Sequence, residues 1–205
     1  MLTLEILQKM LLAASVELKD KHIYLCELDS VAGDGDHGVT IGRMADMMKA
    51  KVEANDSADM KELLDDLSMA FMGANGGSAG PLWGTVFGGL AEGIDDGVTE
   101  LDKAGIEKML TQAKEDFMDI SKAKPGDKTM VDALYPALDA GIAAEGDLKA
   151  VFGAMAEAAT KGAQATAEMV ARFGRAKNVG ERSLGTQDPG ATSMAILFDS
   201  MAKAL

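Results

Sequence analysis

Apolar residues recur every three or four positions along almost the whole chain, and that spacing leaves it little to fold into but helices. Leu7, Met10, Leu11, Ala14 and Leu18 mark a first helix, and Ile41, Met44, Ala45, Met48 and Val52 a second. Met60, Leu63, Leu64, Leu67 and Phe71 mark a third, with Asp56 or Ser57 as its expected N-cap. A fourth is expected to begin near Pro81, a residue suited to a first helical position, and to run to about Leu90. Ile106, Met109, Leu110, Ala113 and Phe117 define a fifth, while Met130, Ala133, Leu134, Ala137 and Leu138 define a sixth, bent at Pro136. The seventh spans roughly Leu148 to Ala171, and the eighth carries Met194, Leu197, Phe198 and Met201. No segment alternates in the manner of a strand. The chain reads as all-α, an eight-helix up-and-down bundle.

The connections sort by parity. Those before the third, fifth and seventh helices are ordinary: Glu53 to Ser57, Gly93 to Leu101, and Gly146-Asp147. Those before the even-numbered helices are rich in Gly, Asp, Lys and Arg: residues 29–38, 73–81, 121–129 and 174–190. Successive connections of an up-and-down bundle alternate between its ends. All four unusual loops therefore gather at one end, each entering a helix N-terminus, where free N–H groups and the positive end of the dipole favour anions.

The first of these loops, Asp29-Ser-Val-Ala-Gly-Asp34-Gly-Asp36-His37-Gly38, holds three carboxylates and three glycines within ten residues. Carboxylates so close repel unless a positive charge lies between them. All-oxygen ligands suit a hard cation such as Mg²⁺ or Ca²⁺ rather than zinc. Gly33-x-Gly35-x-x-Gly38 matches the dinucleotide-binding spacing, but acidic residues surround it and no hydrophobic strand precedes it. An EF-hand also fails, because the twelfth position counted from Asp29 or Asp34 is Thr40 or Ala45 rather than Glu. The bland alternative is a solvated acidic turn capping a helix.

The other loops complement it. Gly76-Gly-Ser-Ala-Gly80 lets backbone N–H groups approach phosphate oxygens closely, though it lacks the Lys-Ser/Thr of a P-loop. Lys122, Lys124, Lys128, Arg175, Lys177 and Arg182 form a basic group on a chain of net charge −13. Surface salt bridges account for most of them, and one or two are expected to touch ligand. Carboxylates, glycines and arginine together describe a site for metal and nucleotide phosphates. Met130 with Pro189 and Gly190 offers an apolar wall for a base.

The acidic balance disfavours nucleic acid and anionic membranes as partners. Cys26 stands alone, so no internal disulfide forms. The fifteen methionines read as adaptable core filler. With charged Glu5, Lys9 and Glu17 in the first apolar pattern, neither a signal peptide nor a membrane span is expected there. The Asn55-Asp-Ser57 glycosylation match is taken as chance. With no linker in 205 residues, the expectation is a single cytoplasmic domain over 1–205.

Several of these motifs together resemble the L subunit of the dihydroxyacetone kinases. The anchors are Gly33-Asp-Gly-Asp-His-Gly38, Gly76-Gly77 with Gly80-Pro81-Leu82, Pro125-Gly-Asp-Lys-Thr-Met130, Gly174-Arg-Ala, Gly180-Glu-Arg-Ser183 and Gln187-Asp-Pro-Gly-Ala-Thr-Ser193. The resemblance covers nearly the whole chain. It implies a helical barrel holding ADP or ATP with two magnesium ions at one end. By position, Asp29, Asp34 and Asp36 look like the magnesium ligands. His37, Gly38, Val39 and Thr40, and the Ser78-Ala79 turn, would meet the phosphates, while Met130, Arg175, Asp188, Pro189 and Gly190 would line the nucleotide. Three places depart from the family's pattern. Ser78 and Ala79 stand where Ala-Ser is common, Thr186 where His is frequent in phosphotransferase-linked members, and Ser121 where Gly is frequent.

The resemblance further implies a phosphotransferase that works with a separate K subunit, which carries dihydroxyacetone on its own histidine and supplies the acid–base groups. No catalytic residue is then expected on this chain, and His22 is read as a surface residue. A phosphohistidine carrier, the M subunit, is a further implied partner. Open at this stage are direct ATP use against a permanently held ADP, erythrulose against dihydroxyacetone as acceptor, and the oligomeric state, a homodimer included. A nucleotide-sensing docking subunit without turnover, and a plain calcium-binding helical protein, are the rivals from other classes.

Overall fold

A computed structural model describes residues 1–205. Nine α-helices carry the fold: α1 (Leu4–Asp20), α2 (His22–Ser30), α3 (His37–Ala54), α4 (Met60–Met72), α5 (Ala79–Glu92), α6 (Lys103–Ile120), α7 (Val131–Ala143), α8 (Leu148–Ala165) and α9 (Pro189–Lys203). Two short strands, β1 (Leu2–Thr3) and β2 (Glu100–Leu101), pair antiparallel, with Leu2 opposite Leu101. No helix is long and apolar enough to cross a membrane.

The helices pack in chain order, and α9 closes the ring by packing on both α8 and α1. Each turns its apolar stripe inward, as the spacing predicts, so that Met10, Ile41, Leu67, Phe87, Leu110, Leu138, Met155 and Met194 meet in one continuous core. Phe71 of α4 meets Trp83 and Phe87 of α5 edge-on, at centroid distances of 6.1 and 5.0 Å. The two strands close the end of the bundle opposite the unusual loops.

All eight expected helices are present, and α2 is an addition. Lys21 breaks the helix at Asp20, and α2 resumes at once, packing on α3 rather than folding back along α1. The parity of the connections is thereby kept. His22 is half-buried at that break, its Nδ1 donating to the Lys19 carbonyl at 2.6 Å.

Three boundaries differ from expectation. The cap of α4 is Asp59, whose Oδ1 accepts from Lys61 N at 2.8 Å, rather than Asp56 or Ser57. Asp59 prevails because its other oxygen takes the Gly97 N–H at 2.9 Å, a partner distant in sequence. Helix α5 starts at Ala79, two residues before Pro81. Helix α8 ends at Ala165, where Thr166–Glu168 tighten into a 3₁₀ turn instead of continuing to Ala171.

Close approach of α5 and α6 depends on Gly89. A Cβ there would lie 2.6 Å from the Ala113 Cα, which cannot move without shifting a helix. Gly89→Ala is expected to destabilise the fold by about 1–3 kcal/mol through overpacking, read as a lower urea midpoint at unchanged slope. An unchanged midpoint would show that the two helices have slack.

Candidate functional site

The four unusual loops meet at one end of the ring around a cavity of about 440 Å³. Residues from 28–40, 76–83, 117–131 and 173–190 line it. The gathering predicted from loop parity is what the chain adopts.

The carboxylates stand on one side. Asp29 lies in the last turn of α2, and Asp34 and Asp36 follow in the loop. One oxygen from each lies within 4.8 Å of the others. Asp29 also caps α3 from the preceding helix, where its Oδ2 accepts from the N–H groups of Asp36 at 3.0 Å and His37 at 3.2 Å. Across the cavity, the Arg175 guanidinium forms an ion pair with Asp34. An all-oxygen cluster of half-buried and exposed carboxylates, with a cation already drawn to it, fits a hard divalent metal ion.

The glycine turn faces this cluster. Gly76 has φ +135°, and a Cβ there would run into the Thr40 side chain of α3, so only glycine serves. Arg43 of α3 donates to the Asn75 carbonyl at 3.3 Å and holds the turn from behind. Ser78, at the N-cap of α5, makes no side-chain cap hydrogen bond, which leaves the first N–H groups of that helix to an outside acceptor.

His37 and Asp188 are two half-buried titratable groups of the cavity that are shifted far from their ordinary pKa values. His37 Nε2 lies 3.1 Å from Ser193 Oγ of α9, so the ring bridges two helix starts. Its pKa is pushed down to about 4 by burial, against the opposing pull of Asp29 and a hydrogen bond to the Pro189 backbone. Asp188 caps α9, accepting from Ala191 N at 2.7 Å. It lines the cavity, half-buried, and burial pushes its pKa up to about 7. The Ala191 N–H opposes that rise, Asp132 adds to it, and Lys128 opposes it.

Of the residues expected at the site, Asp29, Asp34, Asp36, His37, Thr40, Ser78, Ala79, Met130, Arg175, Asp188, Pro189 and Gly190 all line the cavity. Gly38 and Val39 do not: Gly38 is buried against α2, and the Val39 side chain is exposed. Ser121 and Thr186 are lining residues too. The sequence did not single out Leu28, Leu82, Trp83, Phe117 and Ile120 as lining residues. Helical spacing placed Phe117 in the core but held no sign that its stripe runs on into the cavity.

Residues 31–203 match the family described as the DAK2 domain. The chain is 34% identical over 177 residues to the ADP-binding subunit DhaL of PEP-dependent dihydroxyacetone kinase 1 from Listeria innocua, covering 86% of this chain and 84% of that subunit. It is 36% identical over 186 residues to the L-erythrulose kinase of Pectobacterium atrosepticum, covering 88% of this chain and 31% of that enzyme. The dihydroxyacetone kinase of C. freundii, in its crystal structure with AMP-PNP and Mg²⁺, superposes with a TM-score of 0.73 at 26% identity, over 97% of this chain and 33% of that one. The chain thus spans about a third of the length of the erythrulose kinases it matches. It belongs to the DAK2 domain family, which includes the ADP-binding L subunits of the dihydroxyacetone kinases.

Asp188 gives a pH dependence of stability. Its carboxyl is raised from 3.8 to about 7, so the folded chain keeps a proton there that the unfolded chain releases. Its contribution is fully present below the unfolded pKa and is lost as pH rises through the folded one. In Asp188→Asn the side-chain amide oxygen would still cap α9, but the group could not ionise. Urea unfolding at about pH 5 and about pH 8 should show the wild type losing more stability than Asp188→Asn between the two. Equal losses would contradict the raised pKa.

Proposed function

We propose that this chain is the nucleotide-binding subunit of a dihydroxyacetone-type kinase, residues 1–205 acting as one domain. It would hold ADP or ATP with two magnesium ions and pass the phosphoryl group to dihydroxyacetone on a separate K subunit. The observation that carries this reading is the convergence of the carboxylate cluster, the Gly76–Ala79 turn and Arg175 on one cavity. The names of the L-subunit relatives, ADP-binding and PEP-dependent, support a nucleotide at this site and PEP as the phosphoryl source; a phosphohistidine carrier, the M subunit, would deliver the phosphoryl group. A cytoplasmic location is part of the same proposal.

Asp29, Asp34 and Asp36 would hold the magnesium, which when bound neutralises charge on the phosphate oxygens. The chain's own residues do the rest by positioning. N–H groups at the starts of α3 and α5 receive phosphate oxygens, and the Ser-Ala order at 78–79 leaves that contact to the backbone. Arg175, drawn to Asp34 in this structure, is free to turn toward a phosphate. Met130 with Pro189 and Gly190 makes a wall for the base. His37, neutral at pH 7, ties the phosphate side to the base side through Ser193. In this reading the group that takes a proton from the acceptor hydroxyl would come from the K subunit.

The erythrulose kinases among the relatives favour a second reading of the acceptor, a four-carbon ketose in place of dihydroxyacetone.

Calorimetric titration of nucleotide-stripped protein with Mg-ADP and Mg-ATP, repeated with EDTA, tests the reading. Magnesium-dependent binding is expected, and Asp34→Asn or Asp36→Asn should weaken it at least about a hundredfold with helical content unchanged. Very tight ADP points to a held cofactor and exchangeable ATP to direct use. Full binding in EDTA, or in both variants, would remove the metal assignment.

A further inference from the structure

Lys128 lies in a loop facing the cavity, and it is an unusual lysine. It is the chain's one non-glycine residue with a positive φ, at 59°. The other left-handed positions are all glycine, the residue that adopts this conformation without crowding its own backbone. Only 4% of Lys128 is exposed, whereas lysines are almost never fully buried without partners. A strained backbone and a buried ammonium at one position need a compensating contact.

The contacts are specific. Lys128 Nζ donates to the Thr166 carbonyl at 2.7 Å and to the Thr186 carbonyl at 2.5 Å. Thr166 follows the last turn of α8, where carbonyl dipoles favour a cation. Thr186 lies in the loop entering α9. Thr166 carries the connection onward, its Oγ1 accepting from Asp188 N at 2.8 Å. On the lysine's own side, the Asp132 carboxylate accepts from Gly126 N at 2.5 Å and Thr129 N at 2.8 Å, fixing the loop in the shape that forces the positive φ. Burial pulls the ammonium's pKa down, while Asp188 and Asp132 hold it up.

The two ends of this bracket are the two halves of the wall assigned to the base. Met130 follows Lys128 by two residues, and Asp188–Gly190 follows Thr186 by two. The halves are already close: a Cβ on Gly190 would lie 3.4 Å from the Met130 Cβ. A shift of either loop would break that contact and change the shape of the wall.

We propose that Lys128 is a positioning residue for nucleotide recognition, holding Met130 against Asp188–Gly190 as one wall by joining the 121–130 loop to the Thr166 and Thr186 carbonyls. The inference rests on the nucleotide-binding reading of this cavity. It does not require Lys128 to touch the nucleotide. It separates two functions of one end of the bundle, because the carboxylate cluster belongs to α2 and the loop after it, outside this bracket.

Two variants test it. Lys128→Gly relieves the backbone and removes the side chain, and Lys128→Met keeps its length but not its donors. Mg-ADP affinity is measured by calorimetry, and Mn²⁺ alone by electron paramagnetic resonance. Both variants should lose at least about tenfold in Mg-ADP affinity, while Mn²⁺ affinity stays within about twofold of wild type. n-Butylammonium added to Lys128→Gly should restore Mg-ADP binding, and n-butanol should not. Unchanged Mg-ADP affinity in both variants overturns the proposal, as does a parallel loss of Mn²⁺ and Mg-ADP binding, which would mark Lys128 as a general structural residue. Failure of the wild type itself to bind Mg-ADP would instead overturn the nucleotide reading.

Discussion

Closure of the helical ring is the constraint on which the rest of this structure depends. Each amphipathic helix must bury its apolar stripe, and packing in chain order lets each do so against its neighbours until α9 meets α1. Once the ring closes, short connections can only alternate between its ends. The chain then has one end for turns that merely reverse direction and one end for the turns that line the cavity. The strand pair β1–β2 shares its end with the ordinary turns.

Charge at the other end is arranged in opposition to itself. Three carboxylates converge on a chain that is already strongly acidic. The structure answers with local positive groups: the N–H groups of α3 on Asp29, Arg175 on Asp34, and Lys128 beside Asp132 and Asp188. These do not neutralise the cluster, and a divalent cation is the group that would. The same loops hold two titratable groups away from their usual charge states, His37 pushed toward neutral and Asp188 toward protonated. Clustering of such shifts in one cavity is what a functional site does to its residues.

Much of this was legible in the sequence, for physical reasons that also explain the failures. Periodicity marks a helix only where one face is buried. It therefore missed α2, in which Leu25 alone is fully buried while Ile23 and Tyr24 are exposed. It overran α8 because the Ala-rich stretch keeps helical propensity past Ala165, where Thr166 turns aside to bond Asp188 and Lys128. The carboxylates and the glycine turn were readable because their chemistry is local. Lys128 was grouped with surface cations because nothing local shows that its partners are carbonyls 38 and 58 residues away. Gly38 and Val39 were expected to meet phosphate as part of the helix start at His37–Thr40; their side-chain positions do not line the cavity, and only their backbone in the first turn of α3 could serve.

The central claim is that four loops distant in sequence form one metal–nucleotide site. Amide NMR of the protein with Mn²⁺ and ADP tests it most directly, since a paramagnetic ion broadens only nearby signals. The predicted result is Mn²⁺-dependent loss of amide signals from residues 33–40, 76–80, 128–130 and 186–190 together, with 55–59, 93–101 and 145–147 sharp. Broadening confined to 29–38, or spread evenly over both ends, would contradict a single composite site.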